Sequence, residues 1–461
     1  MTLTATALAD SRYHLHPYTQ PRQLEREGPL VITRGEGVYV YGEDGRKYLE
    51  AMAGLWCASL GFSEGRLVEA ATRQMNTLPY YHAFSGKVPG PVADLVEALM
   101  RWAPVPMARV LFANSGSESN DTAFKLVRMY NNARGLPRKK KIIARVKGYH
   151  GVTVAAASLS GLPVMHQQFD LPLPDVVRVG CPHPYQFAKD GESPEAFAAR
   201  LADELERTIL KEGPETVAAF IAEPVQGAGG VIVPPPTYFE RVQKILRQYD
   251  LLFIADEVIT GFGRLGTNFG TQYFSLTPDL ITVAKMMTSA YVPMSALYIN
   301  DKVYQTIADA AASIGTFGHG YTYSGHPVAC AVALETLKIY ESDRIVEHVK
   351  RVAPRLQEGL RKYAGHPIVG DVRGIGLIAA LELAENAKAR KPFDPARGVG
   401  AFFANAAQRH GLIVRVMAGD IIAFSPPLVI TEAEIDEVLA KVELAMQDTM
   451  RWLGNGTGSR R

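Results

Sequence analysis

The chain has 461 residues, enough for two or three domains around a large core, and its 47% hydrophobic and 21% charged residues are ordinary for a globular enzyme. Lys and Arg number 49 against 47 Asp and Glu, so a net charge of +2 supplies no electrostatic reason to expect nucleic acid or an anionic membrane as partner. Cys57, Cys181 and Cys330 are too few and too scattered for a disulfide framework, and no run approaches the ~18 apolar residues that cross a bilayer.

MTLTATALADSRYHLH has neither a charged start nor a sustained apolar stretch, so it is not read as a secretory signal. It is Ala/Thr-rich with a single acid and weakly imitates a transit peptide, but free thiols favour a cytoplasmic location. Residues 1 to about 30, with Pro17, Pro21 and Pro29, are expected to be an irregular arm lying on another surface. Val38–Tyr41, the turn Gly42–Gly45 and Lys47–Leu49 predict a hairpin, followed by an irregular segment, Met52–Cys57. Helical spacing covers Leu67–Asn76 and Val92–Arg101. A short strand, Arg109–Phe112, leads through NSGSESND (114–121) to an amphipathic helix over Thr122–Asn132. The basic Arg138–Lys141 cluster is a solvated turn before the strand Lys141–Ala144, which opens onto Tyr149-His150-Gly151.

A helix over Leu201–Leu210, a buried strand Val217–Ala222 ending in Glu223-Pro224, and a helix over Phe239–Tyr249 follow. Strands and helices thus alternate from about 109 to 299, the pattern of a doubly wound, mostly parallel sheet. Beyond Gly325-His326-Pro327 a helix reaches about Tyr340. A second α+β pattern then has a helix near 345–363, strands near Gly376–Glu382 and Leu412–Val416, a final helix at 432–450 and a frayed polar tail from Gly454 to Arg461.

The chemistry concentrates in Leu251–Ala290. Leu251–Ala255 runs into Asp256, and Leu280–Ala284 runs into Lys285. Continuous apolar runs of this length suit strands buried on both faces, and ligands of open α/β sheets bind outside the carboxyl ends of such strands. An acid and an amine held there match the needs of pyridoxal 5′-phosphate (PLP): a lysine for the Schiff base and an acid for the pyridinium nitrogen. Taken alone, the same pair reads more readily as a helix-capping Asp and a Lys snorkelling from a strand end. Ser115-Gly116-Ser117, between a strand and a helix, suits a phosphate at a helix N-terminus, or a plain N-cap complemented by Glu118. Tyr149 stacks on a flat ring or is a core tyrosine. Thr322 of the Tyr321–Pro327 loop offers a hydroxyl to phosphate, whereas His326 reads as structural. No Walker or GxGxxG signature is present, Gly374-Ile-Gly376 lacks the third glycine, no GxSxG elbow exists, and Cys181-Pro-His183 is too short for a zinc site, so no metal is expected.

Seven segments in order, NSGSESND, YHG, EPVQGAGG (223–230), ADEVITGFGR (255–264), TVAK (282–285), YTYSGHP and VRGIG (372–376), resemble the class III, or ω-, aminotransferases of the PLP fold-type I superfamily over about residues 20–450. The resemblance implies a large PLP-binding domain at 66–335 and a small α+β domain built from both termini, from 1–65 and 336–461. It implies Lys285 as Schiff-base lysine, Asp256 on the pyridinium nitrogen, and Tyr149 and Val258 on the two ring faces. Gly116 and Ser117 would hold phosphate, Glu223 would belong to the cofactor site, and Thr322 would reach the neighbouring subunit's phosphate. Trp56, Phe84 (from the partner chain) and Tyr149 would line the substrate pocket, with Arg415 on the acceptor's carboxylate. The implied activity is ping-pong transfer of an amino group, via pyridoxamine phosphate, from an ω-amino acid or amine to pyruvate or a similar keto acid, in a homodimer or dimer of dimers. An aminomutase, racemase or dialkylglycine-type decarboxylase on the same scaffold is the nearest alternative; a non-catalytic binding protein is a more distant one. Ser119, where the family usually has Ala, and Met286, where Gly commonly follows the lysine, either change packing only or reshape the pocket floor.

Overall fold

The computed structural model describes residues 3–454; Met1, Thr2 and the expected tail at 455–461 lie outside the described residues. Its centre is a seven-stranded sheet in the order Arg109–Ala113, Ser295–Ile299, Leu280–Val283, Leu252–Asp256, Val217–Ala222, Lys141–Arg145, Val176–Val179. Only Ser295–Ile299 runs against its neighbours; the pairings from Leu280–Val283 out to Val176–Val179 are all parallel. The apolar runs are strands because alternate side chains feed two different cores. Ile142, Ala144, Ala219, Ile221, Leu252 and Ile254 pack against Phe124, Val127 and Tyr130 of the helix Gly116–Ala133. Ile143, Phe220, Ala222 and Phe253 meet Phe197, Leu201 and Leu205 of the helix Pro194–Glu212 and Val242 and Leu246 of the helix Tyr238–Gln248 on the other face.

The two ends of the chain meet in a small α+β unit. Strands Ile32–Glu36, Tyr39–Gly42 and Lys47–Glu50 form the expected hairpin region, and Leu412–Ile413 joins it in parallel with Leu412 opposite Leu49. A second antiparallel sheet orders Val369–Ile375, Ile378–Leu383, Ile421–Phe424 and Arg415–Met417.

Four expectations are corrected. The arm is not irregular: it contains the helices Ala5–Tyr13, capped by the Thr4 side chain, and Pro21–Glu27, with Pro at its first turn. They escaped the apolar-periodicity reading because Ala7 is their only buried residue, so no apolar stripe marks them. The helix expected from Thr122 begins at Gly116, capped by Ser115, whose hydroxyl accepts from the Glu118 N–H. The single strand expected near 376–382 is a hairpin that turns at Gly376, where φ is +56° and a side chain would sit 2.4 Å from the Arg264 carbonyl. The last helix runs Glu432–Gly454, past its expected end.

Candidate active site

Asp256 and Lys285 come together because their strands are parallel neighbours, with Asp256 paired to Thr282 three residues before the lysine. Lys285 starts a short 3₁₀ turn at φ +46°, a backbone conformation that side-chain-bearing residues adopt at a cost and that clusters at functional sites. Burial pushes its amine below the usual lysine range, with the nearby Asp256 carboxylate opposing the shift.

The Asp256 carboxylate is held by three donors. Asn120 Nδ2 and His150 Nδ1 each donate to Oδ2 at 2.8 Å, and the Val258 N–H donates to Oδ1 at 3.1 Å. Asn120 is itself locked: its Nδ2 also donates to the His150 carbonyl at 2.7 Å and its Oδ1 accepts from the Thr282 hydroxyl at 2.8 Å. Because a carboxylate only accepts, His150 carries its proton on Nδ1 here. Asp256 also lines a cavity.

That cavity encloses about 380 Å³ and is walled by Ser115, Gly116, Ser117, Tyr149, Gly151, Glu223, Val258, Lys285 and Cys57, among others. At one wall the 18-residue helix Gly116–Ala133 presents its first N–H groups, which no helix satisfies internally. Any side chain at 116 would come within 2.9 Å of Val258, and one at Gly151 (φ +126°) within 2.4 Å of the Ser117 hydroxyl, so the backbone is bare where an anion approaches. An amine, an acid and a helix N-terminus around one slot fit the aldehyde, ring nitrogen and phosphate of PLP. Glu223 acts on the backbone: Oε1 accepts from the Tyr149 N–H and Oε2 from the Gly227 N–H, each at 2.9 Å, and burial raises its pKa above the usual range.

Of the expected site residues, the chain gathers Gly116, Ser117, Tyr149, Glu223, Asp256, Val258 and Lys285 at this cavity. Trp56 does not line the cavity: it is buried in a cluster with Met52, Ile259, Met417 and Ile421, while Ile259 and its own neighbour Cys57 reach the wall. Arg415 is half-buried beside Tyr149 and close enough to Lys285 to act on its charge. Phe84 and Thr322 are elsewhere: both are exposed, Phe84 beside Gly320 and Thr322 with its carbonyl accepting from the Tyr80 hydroxyl at 2.8 Å. Sequence reasoning missed Asn120 and His150 as partners of Asp256, although Asn120 stands one helical turn beyond Ser117 and so shares its face. It also missed Tyr18 of the arm, which lies against Tyr149: burial, and after it the Tyr18 hydroxyl, raise that phenol's pKa.

Ser119 and Met286 both resolve as packing. The Ser119 hydroxyl donates to Ser295 Oγ at 2.8 Å, which donates to the Ser115 carbonyl at 2.7 Å. Met286 is fully buried; its sulfur accepts from Arg264 at 3.3 Å and its carbonyl from the Tyr340 hydroxyl at 2.7 Å. Arg264, buried without a carboxylate and lowered by burial to about 10, also donates to the Leu377 and Pro426 carbonyls, tying the lysine turn to the C-terminal unit.

Residues 22–446 match the aminotransferase class-III family, and the chain belongs to it. It is a PLP-dependent transaminase of fold type I. It is 52% identical over 450 residues to gamma aminobutyrate transaminase 3, chloroplastic, of Solanum lycopersicum, covering 97% of this chain and 86% of that one. It is 55% identical over 427 residues to gamma-aminobutyrate transaminase 1, mitochondrial, of Oryza sativa subsp. japonica, covering 92% and 83%. Among solved structures, the omega transaminase from Pseudomonas jessenii in complex with PMP superposes with a TM-score of 0.97 at 53% identity, over 98% of this chain and all of that one (100%).

Proposed function

We propose that this transaminase takes the amino group of an ω-amino acid or primary amine and gives it to pyruvate or a similar keto acid, in two half-reactions. The observation that carries the reading is the placement of Arg415 and Tyr149 beside the cavity holding Lys285 and Asp256. A guanidinium suits a carboxylate, which pyruvate and an ω-amino acid both bear, whereas an aryl amine would rest on the aromatic wall. The names of the relatives, transaminases of γ-aminobutyrate and ω-transaminases, support both ends of that donor range.

Bound in the cavity, PLP supplies an aldehyde for condensation with the donor amine and a ring that accepts electron density from the donor carbon. Asp256, fixed by Asn120, His150 and the Val258 N–H, holds a proton on the ring nitrogen. Lys285, its amine favoured in the neutral form by burial, would take the proton from the donor's amine-bearing carbon and pass it to the former aldehyde carbon of the cofactor, and would run the same transfer in reverse in the second half-reaction. Tyr149 and Val258 would hold the ring, the start of the helix Gly116–Ala133 would hold the phosphate, and Arg415 would orient the carboxylate of the acceptor.

Phe84 and Thr322 are proposed to complete the cavity of a neighbouring copy, since both are exposed and remote from the cavity of their own chain; this makes the protein a homodimer or a dimer of dimers. The domain division at about 65 and 335 and the cytoplasmic location are carried forward with this reading; the free cysteines support the latter, while the plant relatives' names place those proteins in organelles.

The test is a donor panel led by γ-aminobutyrate, β-alanine, a diamine, taurine and 1-phenylethylamine, with pyruvate as acceptor, following both the cofactor's visible absorbance and alanine. One alanine formed per donor consumed is expected. Turnover of a donor without formation of the matching amino acid from pyruvate or any other keto acid would overturn transamination in favour of a mutase, racemase or decarboxylase.

A further inference from the structure

The N-terminal arm gathers three metal-ligating side chains away from the cofactor cavity. Asp10 lies in the last turn of the helix Ala5–Tyr13 and His14 caps it, so the two stand four residues apart on one helical face. At His14 the backbone becomes extended (φ −106°, ψ 119°), and the alternation of an extended segment returns His16 to the side of His14. Asp10 Oδ1 is 2.9 Å from His14 Nδ1, Oδ2 is 2.5 Å from His16 Nε2, and the imidazole centroids are 4.4 Å apart. One donor atom from each residue lies within 4.8 Å of the other two. A zinc ion holds nitrogen and oxygen ligands at roughly 2.0–2.2 Å, which sets them roughly 3–3.5 Å from one another, so small side-chain rotations suffice.

A second cluster has similar spacing but already contains its cation. Arg373 Nη1 sits 2.7 Å from Asp371 and 2.6 Å from Glu382, with His183 at 2.9 Å from the same Glu382 oxygen. Asp10, by contrast, is paired only with the two imidazoles among the described residues.

We propose that Asp10, His14 and His16 form a surface site for a borderline divalent transition-metal ion of the Zn²⁺ type, completed by water. Two imidazoles and one carboxylate suit such an ion, whereas Mg²⁺ or Ca²⁺ would require more oxygen ligands. The ion clips the end of the helix to the extended segment two residues before Tyr18, which lies against Tyr149. It therefore fixes how the arm reaches the substrate side of the cavity. The site departs from the sequence reading, which weighed a metal only at Cys181–His183.

The experiment titrates chelator-treated holoenzyme with Zn²⁺ by calorimetry, and compares His14→Ala, His16→Ala and the double variant. One ion per chain is expected; each single variant weakens binding roughly tenfold or more, and the double variant loses the site. As these side chains are at least partly exposed, an unchanged melting temperature without metal shows that the variants fold. Zn²⁺ should also slow tryptic cleavage after Arg12, inside the chelating segment, at least fivefold in the parent and not in the double variant. No saturable Zn²⁺ binding in the parent, or parental affinity retained in the double variant, overturns the proposal.

Discussion

Two regions of this molecule carry the residues of one proposed site, and they are built in opposite ways. At the cofactor cavity almost every polar group is tied to another group of the same chain: Asp256 to Asn120 and His150, Asn120 to Thr282, Glu223 to the backbone of Tyr149 and Gly227. In the groove formed by Ala83–Ser85, Phe112 and Thr316–Gly320, apolar surface is left open, with Phe84 45% exposed and Tyr323, on the adjoining loop, 57%. Exposed aromatics clustered on one face mark an interaction surface. The contrast teaches that one chain preorganises the chemistry, whereas closing the cavity around a substrate is, on the proposed reading, left to a second copy.

The largest expected effect tests the preorganised side. Lys285→Ala should reduce turnover by ~10³-fold or more and abolish the visible band of the bound cofactor, because no other amine among the described residues lines the cavity; activity near the parent's would remove the lysine from its role. Asp256→Asn should lower kcat by ~10²-fold with an unchanged circular-dichroism spectrum, and Asn120→Ala should lower it less, about tenfold, since it acts by holding Asp256. A kcat for Asn120→Ala below that of Asp256→Asn would contradict this order.

A smaller effect tests the open side. Thr322→Ala should weaken cofactor binding about tenfold through a lost charge-assisted hydrogen bond. Refolding a mixture of Thr322→Ala and Lys285→Ala chains should then create one intact site per mixed dimer, with parental cofactor affinity. If every residue of the site came from a single chain, mixing would restore nothing.

A last effect, on stability and not on turnover, is its dependence on pH. The Glu50 carboxylate is buried at the end of the strand Lys47–Glu50 and accepts from the Gly54 N–H, within the positive-φ segment that carries Trp56 and Cys57. Burial raises its pKa from 4.5 to about 8, so the folded chain keeps a proton that the unfolded chain gives up. Its contribution is present below about pH 4.5 and is lost as pH rises through about 8. Unfolding free energy should fall by up to ~1 kcal/mol per pH unit across that window, and Glu50→Gln should flatten the slope. Denaturant melts at several pH values measure this, and identical slopes in the two proteins would refute it.

Legibility in the sequence followed local pattern strength. Leu252–Asp256 and Leu280–Val283 were readable because strands buried on both faces are uninterrupted apolar runs, and their ends showed as charges. The arm helices were not, because helices without an apolar stripe have no periodic signal. The hairpin turning at Gly376 merged with its flanks for the same lack of contrast. Met286 could be read from its position alone either as packing or as part of the pocket floor; its contact with Arg264 puts it in the core.

By itself, then, the sequence determined the alternation of strands and helices through residue type and short-range spacing, and the class of chemistry through the family resemblance of seven ordered segments, which is also what picked out the Asp256–Lys285 pair. Only the tertiary structure decided that Asn120 and His150 grip Asp256, that Glu223 serves the Tyr149 backbone, that Phe84 and Thr322 lie outside the cavity of their own chain, and that Asp10, His14 and His16 converge. The physical reason is that such contacts join groups on different elements, often far apart in the chain. Their distances are set by strand register, helix phase and chain path, which no local pattern encodes.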